Sequence, residues 1–522
     1  MRGANTTTST NPGHSTPRQS TPKHSTLLLG TVMFTTVIPA IDATIANVAL
    51  PHMQGALGAT QDQIAWVLTS YVVASAICLP LTGFLATRLG QRRLLNICMG
   101  GFLITSVLCG AATSLSEMVI FRILQGAFGA GLAPLGQAIV MGAFPREQHG
   151  RVLAIWGMGA MAGPIMGPTL GGFLTETLNW RWIFYVNVPL CAAALIGSFA
   201  VIPETKSRAE ETLDLFGFGL LSVAIGTFQL MLDRGHSLNW FESSEIVIEA
   251  CITGLALYLF AVHSFTAKKP FLEPRLFKDR NLTLSLVITV LLNVVLVGQM
   301  VLLPSYLQNL MNIPVDKTGM LMMPRGLTAA AGMLITGRLI GRVDSRWLLV
   351  IGFVMLGHSM FDMSRINLYV SDFTIVRIGL VQGLGSAMVL ATLTHEAFTT
   401  LAPELRTEGA SIYTLMRNLG SSVGISVLVA HVAELTQTNH QKLGEQITHF
   451  LPPGELPPAW DVTTNTGAML LNSEITRQAA SIGYLDAYLL MAILMMITTP
   501  LCFLFKRAGH TAGDAPLLVA EH

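Results

Sequence analysis

Ile41-Asp42-Ala43-Thr44-Ile45-Ala46-Asn47-Val48-Ala49-Leu50-Pro51 closes the first long apolar run of the chain and carries an acid within it. A carboxylate near the middle of a bilayer costs ~2.5 to 3.5 kcal/mol on insertion scales, and it is usually kept for ion or proton traffic. Otherwise, an aspartate here caps an adjacent helix or sits at the membrane interface. Everything around the stretch bears on that choice.

The composition makes the bilayer the relevant solvent. Of 522 residues, 51% are hydrophobic and 12% charged, where a soluble chain carries roughly a quarter charged. This is the pattern of an all-α polytopic membrane protein. The 31 Lys and Arg nearly balance the 30 Asp and Glu, which gives no reason to expect nucleic-acid binding. Cys78, Cys98, Cys109, Cys191, Cys251 and Cys502 lie in apolar runs without metal-ligand or disulfide-framework spacing and read as small packing residues.

Residues 1–26 are rich in Thr, Ser, Pro and Asn and predict a disordered cytoplasmic tail. The run from Leu27 to Leu50 is too long for a signal-peptide core and lacks a small-residue cleavage site after it, so it is expected to remain as span 1. At roughly 20 apolar residues per crossing, fourteen spans are expected. They lie near 27–50, 64–86, 94–113, 116–140, 150–175, 183–202, 214–232, 245–264, 282–305, 316–340, 347–364, 371–395, 408–433 and 482–505. Residues 434–481, with Pro452-Pro453-Gly454 and Pro457-Pro458, are expected to form the one substantial extramembrane loop. With both termini cytoplasmic, inner segments hold 21 of the 31 basic residues and outer segments six. That bias follows the preference of Lys and Arg for the inner side of a plasma (inner) membrane.

Ordered echoes indicate a repeat. Gly83-Phe84-Leu85-Ala86-Thr87-Arg88 returns as Gly337-Arg338-Leu339-Ile340-Gly341-Arg342. Arg122 with Gln125-Gly126 returns as Arg377 with Gln382-Gly383, and Pro145 with Gly150 as Pro403 with Gly409. The division this implies is a six-helix half over 27–202, an inserted pair over 203–280, a second half over 281–505 and a cytoplasmic tail over 506–522. Two parallel halves around a midplane site describe an alternating-access transporter.

Several stretches carry a family resemblance: Asp42 to Pro51, Gly83 to Arg93, Arg122 to Gly131, Gly157 to Gly172 and Asn179 to Pro189, followed by Leu232-Asp233-Arg234-Gly235 and Arg417 to Gly424. In these the chain resembles a fourteen-helix drug:proton antiporter of the major facilitator superfamily, most like the EmrB branch of the EmrB/QacA group. The resemblance implies the major facilitator fold, with two six-helix bundles plus two inserted helices. It also implies a proton gradient as energy source with no cofactor, and Arg122 working with Asp42 in proton transfer. Gly83, Arg88, Gly90, Arg92 and Arg93 would form a cytoplasmic gate, although Thr87 stands where many relatives place an acid. Gly159, Gly163, Pro164, Gly167, Pro168 and Gly171 would be the antiporter motif. A membrane-fusion adaptor and an outer-membrane channel would be partners, with residues 434–481 as a docking surface.

Physical reasoning reaches part of this unaided. Gly159, Gly163, Gly167 and Gly171 fall on one helix face and allow close helix approach. The prolines permit a bend, and generic packing explains the glycines equally well. Arg122 lies too deep to reach the outer surface easily and needs a partner, either an acid or helix-end carbonyls. Burial disfavours a carboxylate's charged form and an approaching guanidinium favours it, so alternating the two surroundings would take up and release a proton. Asn47, Gln125, Gln137, Asn293, Gln299 and Gln382 are amides in apolar helices and should face the bundle interior. Together with Arg325 and Arg377 they are the cavity candidates. Arg325, Arg377 and Arg417 tilt the interior positive, which favours weakly acidic or neutral amphiphiles unless these arginines are structural. The 25 methionines either line an adaptable pocket or fill helix packing.

No P-loop, metal cluster or nucleophile–base pattern points to an enzyme. The expected function is proton-coupled export of hydrophobic or amphiphilic toxic compounds. The alternatives are a dedicated exporter of an endogenous metabolite, such as a siderophore or fatty acid, and a sensor that keeps the transporter fold without transport.

Overall fold

The structure, a computed structural model, describes residues 25–144, 148, 152, 156, 166–167, 170–204, 214–235, 237–268, 270–402, 405–445, 460 and 464–506. These residues are overwhelmingly helical, and the β pairing among them is an isolated bridge between Ile340 and Val343. Among the described residues, eleven helices are long and apolar enough to cross a membrane, or twelve when Trp66–Cys78 and Leu81–Leu89, bent by 55°, count as one broken span. The expected fourteen are therefore not all met by this measure. Val315–Leu339 is helical but carries Lys317, Arg325 and Arg338, which lower its apolarity, and the span expected at 150–175 lies largely outside the described residues.

The long helices are α1 (Ser25–Leu57), α2 (Trp66–Cys78), α3 (Leu81–Leu89), α4 (Gln91–Ala111), α5 (Leu115–Gly129), α6 (Leu132–Ala143) and α7 (Asn187–Val201). They continue as α8 (Leu215–Arg234), α9 (Ser244–Thr266), α10 (Arg280–Ser305), α11 (Val315–Leu339), α12 (Ser345–Met363), α13 (Asp372–Thr399), α14 (Arg406–Glu445) and α15 (Asn465–Thr498). Polar side chains punctuate the apolar runs. Ser114, Asp214, Asp279 and Thr464 accept from the first free backbone N–H groups of α5, α8, α10 and α15. Gly90, at φ 86°, turns the chain between α3 and α4.

Helix α1 packs on α6 and α7, α4 on α5 and α7, and α2 on α5. In the second bundle α10 packs on α13 and α14, α11 on α13, and α15 on α12 and α14. The α8–α9 pair reaches both bundles, because α8 touches α2 and α14. Thr69 donates to Asp233 at one of these contacts, and Ser426 Oγ to the Leu232 carbonyl at the other (2.5 Å). Large apolar side chains such as Ile196, Leu255, Tyr258, Phe265 and Ile497 are exposed on the outer surface. A lipid-facing wall has that character, whereas a soluble surface would leave the same side chains in water.

The loop expected over 434–481 is corrected. Helix α14 runs on to Glu445 and α15 already begins at Asn465. Polar residues of the two antiparallel helices pair across the gap, His431 Nε2 with Asp486 Oδ2 at 2.9 Å and His440 Nε2 with Asn472 Oδ1 at 3.0 Å. Hydropathy marks where lipid begins, and a helix with polar partners continues past that point. Most of what lies between 445 and 464 is outside the described residues.

Candidate functional site

Asp42 sits in the middle of α1, three residues after Pro39, whose missing N–H removes one helical hydrogen bond. Arg122 and Gln125 are one turn apart on α5, so both face α1. Asn187 opens α7. These helices bring four polar side chains together in an otherwise apolar bundle, and each is fully buried.

Arg122 NH1 lies 2.7 Å from Asp42 Oδ2, with both side chains 0% exposed. The other carboxylate oxygen, Oδ1, accepts from Asn187 Nδ2 at 2.7 Å and from Gln125 Nε2 at 3.0 Å. Gln125 spends all of its capacity here, since Nε2 also donates to Ser106 Oγ (2.9 Å) and Oε1 accepts from Arg122 NH1 (2.8 Å) and Cys109 (3.5 Å). Arg122 Nε donates to the Val67 carbonyl at 3.0 Å, and its guanidinium stacks over the Tyr71 ring at 4.2 Å. NH2 of Arg122 and Oδ1 of Asn187 have no hydrogen-bond partner among the described residues.

This is a compensated, dry ion pair. A buried charge is tolerated when it is paired and hydrogen-bonded, and removing one member leaves the other uncompensated. The pair therefore stays intact only while α1 and α5 hold this geometry.

The remaining predicted residues fall in different places. Gly167 and Gly171 pack against α1 beside the pair. A Cβ on Gly171 would meet Ile45 Cγ1 at 2.8 Å, and one on Gly167 would strike Thr44. Gly159, Gly163, Pro164 and Pro168 lie outside the described residues. In the second bundle Gly420 and Gly424 press on α10, where a Cβ on Gly424 would lie 2.6 Å from the Val294 Cα. Gly83 is the gate residue that meets the second half, its Cβ position being 3.3 Å from Ser411 Oγ and 3.4 Å from the Glu408 Cα on α14. The gate arginines behave differently. Arg92 NH2 donates to the Phe199 carbonyl at 2.9 Å, Arg93 pairs loosely with Glu204 at 3.7 Å, and Arg88 is exposed. Both bonded arginines thus hold the first half to itself.

Among the amides, Gln299 and Gln382 are buried and bonded to each other at 2.8 Å, and Arg325 NH1 donates to Gln299 Oε1 at 3.2 Å. Gln137 is buried, with its Nε2 unpartnered among the described residues. Asn293 is spent on its own helix, donating to the Thr289 carbonyl at 2.8 Å, and Asn47 is exposed and bonds the Ala43 carbonyl. Arg377 is not brought to the interior, for it pairs with Asp362 at 3.2 Å and its side chain is 55% exposed. Sequence reasoning assigned no role to Asn187, Ser106, Tyr71 or the Val67 carbonyl. Asn187 could have been found as an amide in an apolar run, by the argument that found Gln137. No group of three or more His, Cys, Asp or Glu able to hold a metal occurs among the described residues.

Three kinds of comparison bear on this arrangement. The profile of the Major Facilitator Superfamily matches residues 32–425. The chain is 32% identical to the fatty acid resistance protein FarB of Neisseria gonorrhoeae, over 91% of this chain and 94% of that protein. It is 33% identical to the multidrug export protein EmrB of Haemophilus influenzae over 80% of this chain and 82% of the relative, and 30% identical to the EmrB of Escherichia coli over 92% and 96%. Among solved structures it is similar to the human organic anion transporter MFSD10 (TETRAN), with TM-score 0.59, 14% identity and coverage of 90% and 99%. A bacterial homolog of the human lysosomal transporter Spinster, inward-facing and unoccupied, gives TM-score 0.53 at 15% identity, with coverage of 94% and 97%. At such identities these two matches speak for the fold alone.

Proposed function

Because the chain belongs to the major facilitator superfamily and is an EmrB-like drug antiporter, we propose that it is a multidrug exporter of hydrophobic and amphiphilic compounds, driven by inward proton flow through Asp42. The observation that carries the coupling is the sealed Asp42–Arg122 pair, which Gln125 and Asn187 clamp at the meeting of α1, α5 and α7. Separating α1 from α5 exposes the carboxylate to a proton on the outer side. Rejoining them restores the ion pair and sends the proton inward. One proton moving down ~100 mV supplies ~2.3 kcal/mol, which at ~1.4 kcal/mol per decade sustains a substrate gradient of roughly fiftyfold.

The same reading extends to architecture. Val315–Leu339 and the span expected at 150–175 complete fourteen crossings, arranged as two six-helix halves with α8 and α9 inserted. Both termini face the cytoplasm of the inner membrane, as the basic-residue bias favours. The extensions of α14 and α15 past the bilayer offer a docking surface for a periplasmic membrane-fusion adaptor that hands substrate to an outer-membrane channel. A dedicated fatty-acid exporter is the second reading, favoured by the likeness to FarB.

The test is efflux in a pump-deficient host, with and without an uncoupler, comparing wild type with Asp42→Asn and Arg122→Ala. Uncoupler-sensitive efflux in wild type and its loss in both variants is expected. Normal pumping by both variants would remove Asp42 from the coupling path.

A further inference from the structure

The two halves share a register that places the second half's polar cluster on the first half's proton site. Gln299 follows Asp42 by 257 residues, and Gln382 follows Gln125 by the same interval, as Gly383 follows Gly126 and Thr328 follows Tyr71. Packing obeys this register. A Cβ on Gly126 would strike the Tyr71 carbonyl, and one on Gly383 would strike Thr328 and the Arg325 carbonyl. In the first half Gln125 bonds Asp42 at 3.0 Å, and in the second Gln382 bonds Gln299 at 2.8 Å.

Two differences then stand out. The acid has become the amide Gln299, and the position matching Arg122 is Gly379. A guanidinium is nonetheless supplied from the neighbouring helix. Arg325 of α11 lies against Gly379, where an added Cβ would be 3.4 Å from the Arg325 Cβ, and it donates to Gln299 Oε1 at 3.2 Å. The second half thus keeps a cation and the Gln382 amide and replaces the carboxylate with a second amide.

What remains is a cation lacking its anion. Arg325 is half-buried and has no carboxylate within ion-pair distance among the described residues. A charge held in low-dielectric surroundings is unfavourable without a counter-ion. A guanidinium fork held beside an amide, where the first half has an acid, is suited to receive a carboxylate.

We propose that Arg325, with the Gln299–Gln382 pair, binds the carboxylate of a monocarboxylic amphiphile, so that substrate supplies the acid the second half lacks. This rests on the exporter reading for its transport consequence, but binding can be measured separately. In this scheme the first half carries its acid permanently for protons and the second borrows one from each carboxylate substrate.

The test uses full-length protein in phosphatidylcholine nanodiscs, whose zwitterionic headgroups carry no net charge, with dodecanoate and uncharged dodecanol as probes. Wild type is expected to bind both. Arg325→Gln should weaken dodecanoate at least about tenfold, the scale of a lost charge-assisted bond, and leave dodecanol within about twofold. Gln299→Glu restores an internal acid opposite Arg325 and should exclude dodecanoate to a similar degree while preserving the fold. Dodecanoate binding unchanged in both variants, parallel loss of both probes, or no dodecanoate binding by wild type overturns the proposal. Proton-driven accumulation of ethidium and dodecanoate in proteoliposomes tests the exporter reading by itself. Carboxylate binding without any accumulation defeats that reading alone, and ethidium accumulation without dodecanoate binding defeats the carboxylate site alone.

Discussion

Asp42→Asn is the perturbation whose consequences the structure specifies most fully. The amide fits the same space, but Asp42 accepts three hydrogen bonds, from Arg122, Gln125 and Asn187, and an amide turns one acceptor into a donor. If its oxygen faces Arg122, its NH2 meets the donors of Gln125 and Asn187. Asn187 can invert, because its Oδ1 is unpartnered among the described residues, whereas Gln125 is committed at both ends. At least one donor–donor conflict persists, and Arg122 loses its counter-charge, for a total of about 3–5 kcal/mol. The double variant Asp42→Asn/Arg122→Gln removes that charge and should regain most of the stability. Neither variant has a proton site, so each forfeits the ~2.3 kcal/mol that one proton carries across ~100 mV. In energised inverted vesicles, wild type should accumulate substrate up to roughly fiftyfold and both variants about onefold. The double variant should still exchange labelled for unlabelled substrate. Fiftyfold accumulation by either variant would refute the coupling role, and loss of exchange in the stable double variant would show that Asp42 serves binding instead.

Gly83→Val places a branched side chain where a Cβ already stands 3.3 Å from Ser411 Oγ. It should hold α3 off α14, so a Ser411→Cys reporter should react faster with an impermeant maleimide in inverted vesicles, and unchanged labelling would contradict the close approach. Gly424→Val drives a side chain into the Val294 backbone of α10 and should cost about 1–3 kcal/mol or more as overpacking, read as a lowered melting temperature in detergent. An unchanged midpoint would contradict that packing. Burial pushes the Asp214 carboxyl up, but hydrogen bonds from the Gly217 N–H, His263 and the Phe271 N–H outweigh it and hold the group below the usual carboxylate range. A lowered folded value adds stability above the unfolded carboxyl value of ~3.9, and that stability is lost as pH falls through the folded value. Asp214→Asn should therefore melt lower than wild type at pH 7 by about 1 kcal/mol, and the gap should narrow below about pH 4. A gap independent of pH would contradict the ionised cap.

The central pair was legible in the sequence because a charge in an apolar run is expensive and demands an explanation, and Asp42 and Arg122 each raised that demand separately. Gln125 was legible as an interior amide, though its place as the clamp between them was not. That depends on the rotation of α5, which also brings Ser106 and the Val67 carbonyl into reach. Arg377 misled because a sequence does not show that the antiparallel turn between α12 and α13 returns it to Asp362. The partners of Arg92 and Arg93 were not legible for a related reason, since Phe199 and Glu204 meet them from α7 and the chain just beyond it. The extension of α14 to Glu445 and the start of α15 at Asn465 escaped a hydropathy reading because their residues are polar, yet His440 pairs with Asn472 between the two helices.

The claim that protons drive export through Asp42 is tested most directly with purified protein in proteoliposomes holding a preset pH gradient and an internal pH dye. Adding substrate should accelerate the collapse of the gradient in wild type and leave it unchanged with Asp42→Asn. Substrate movement across wild-type proteoliposomes with no accompanying proton flux would contradict the account.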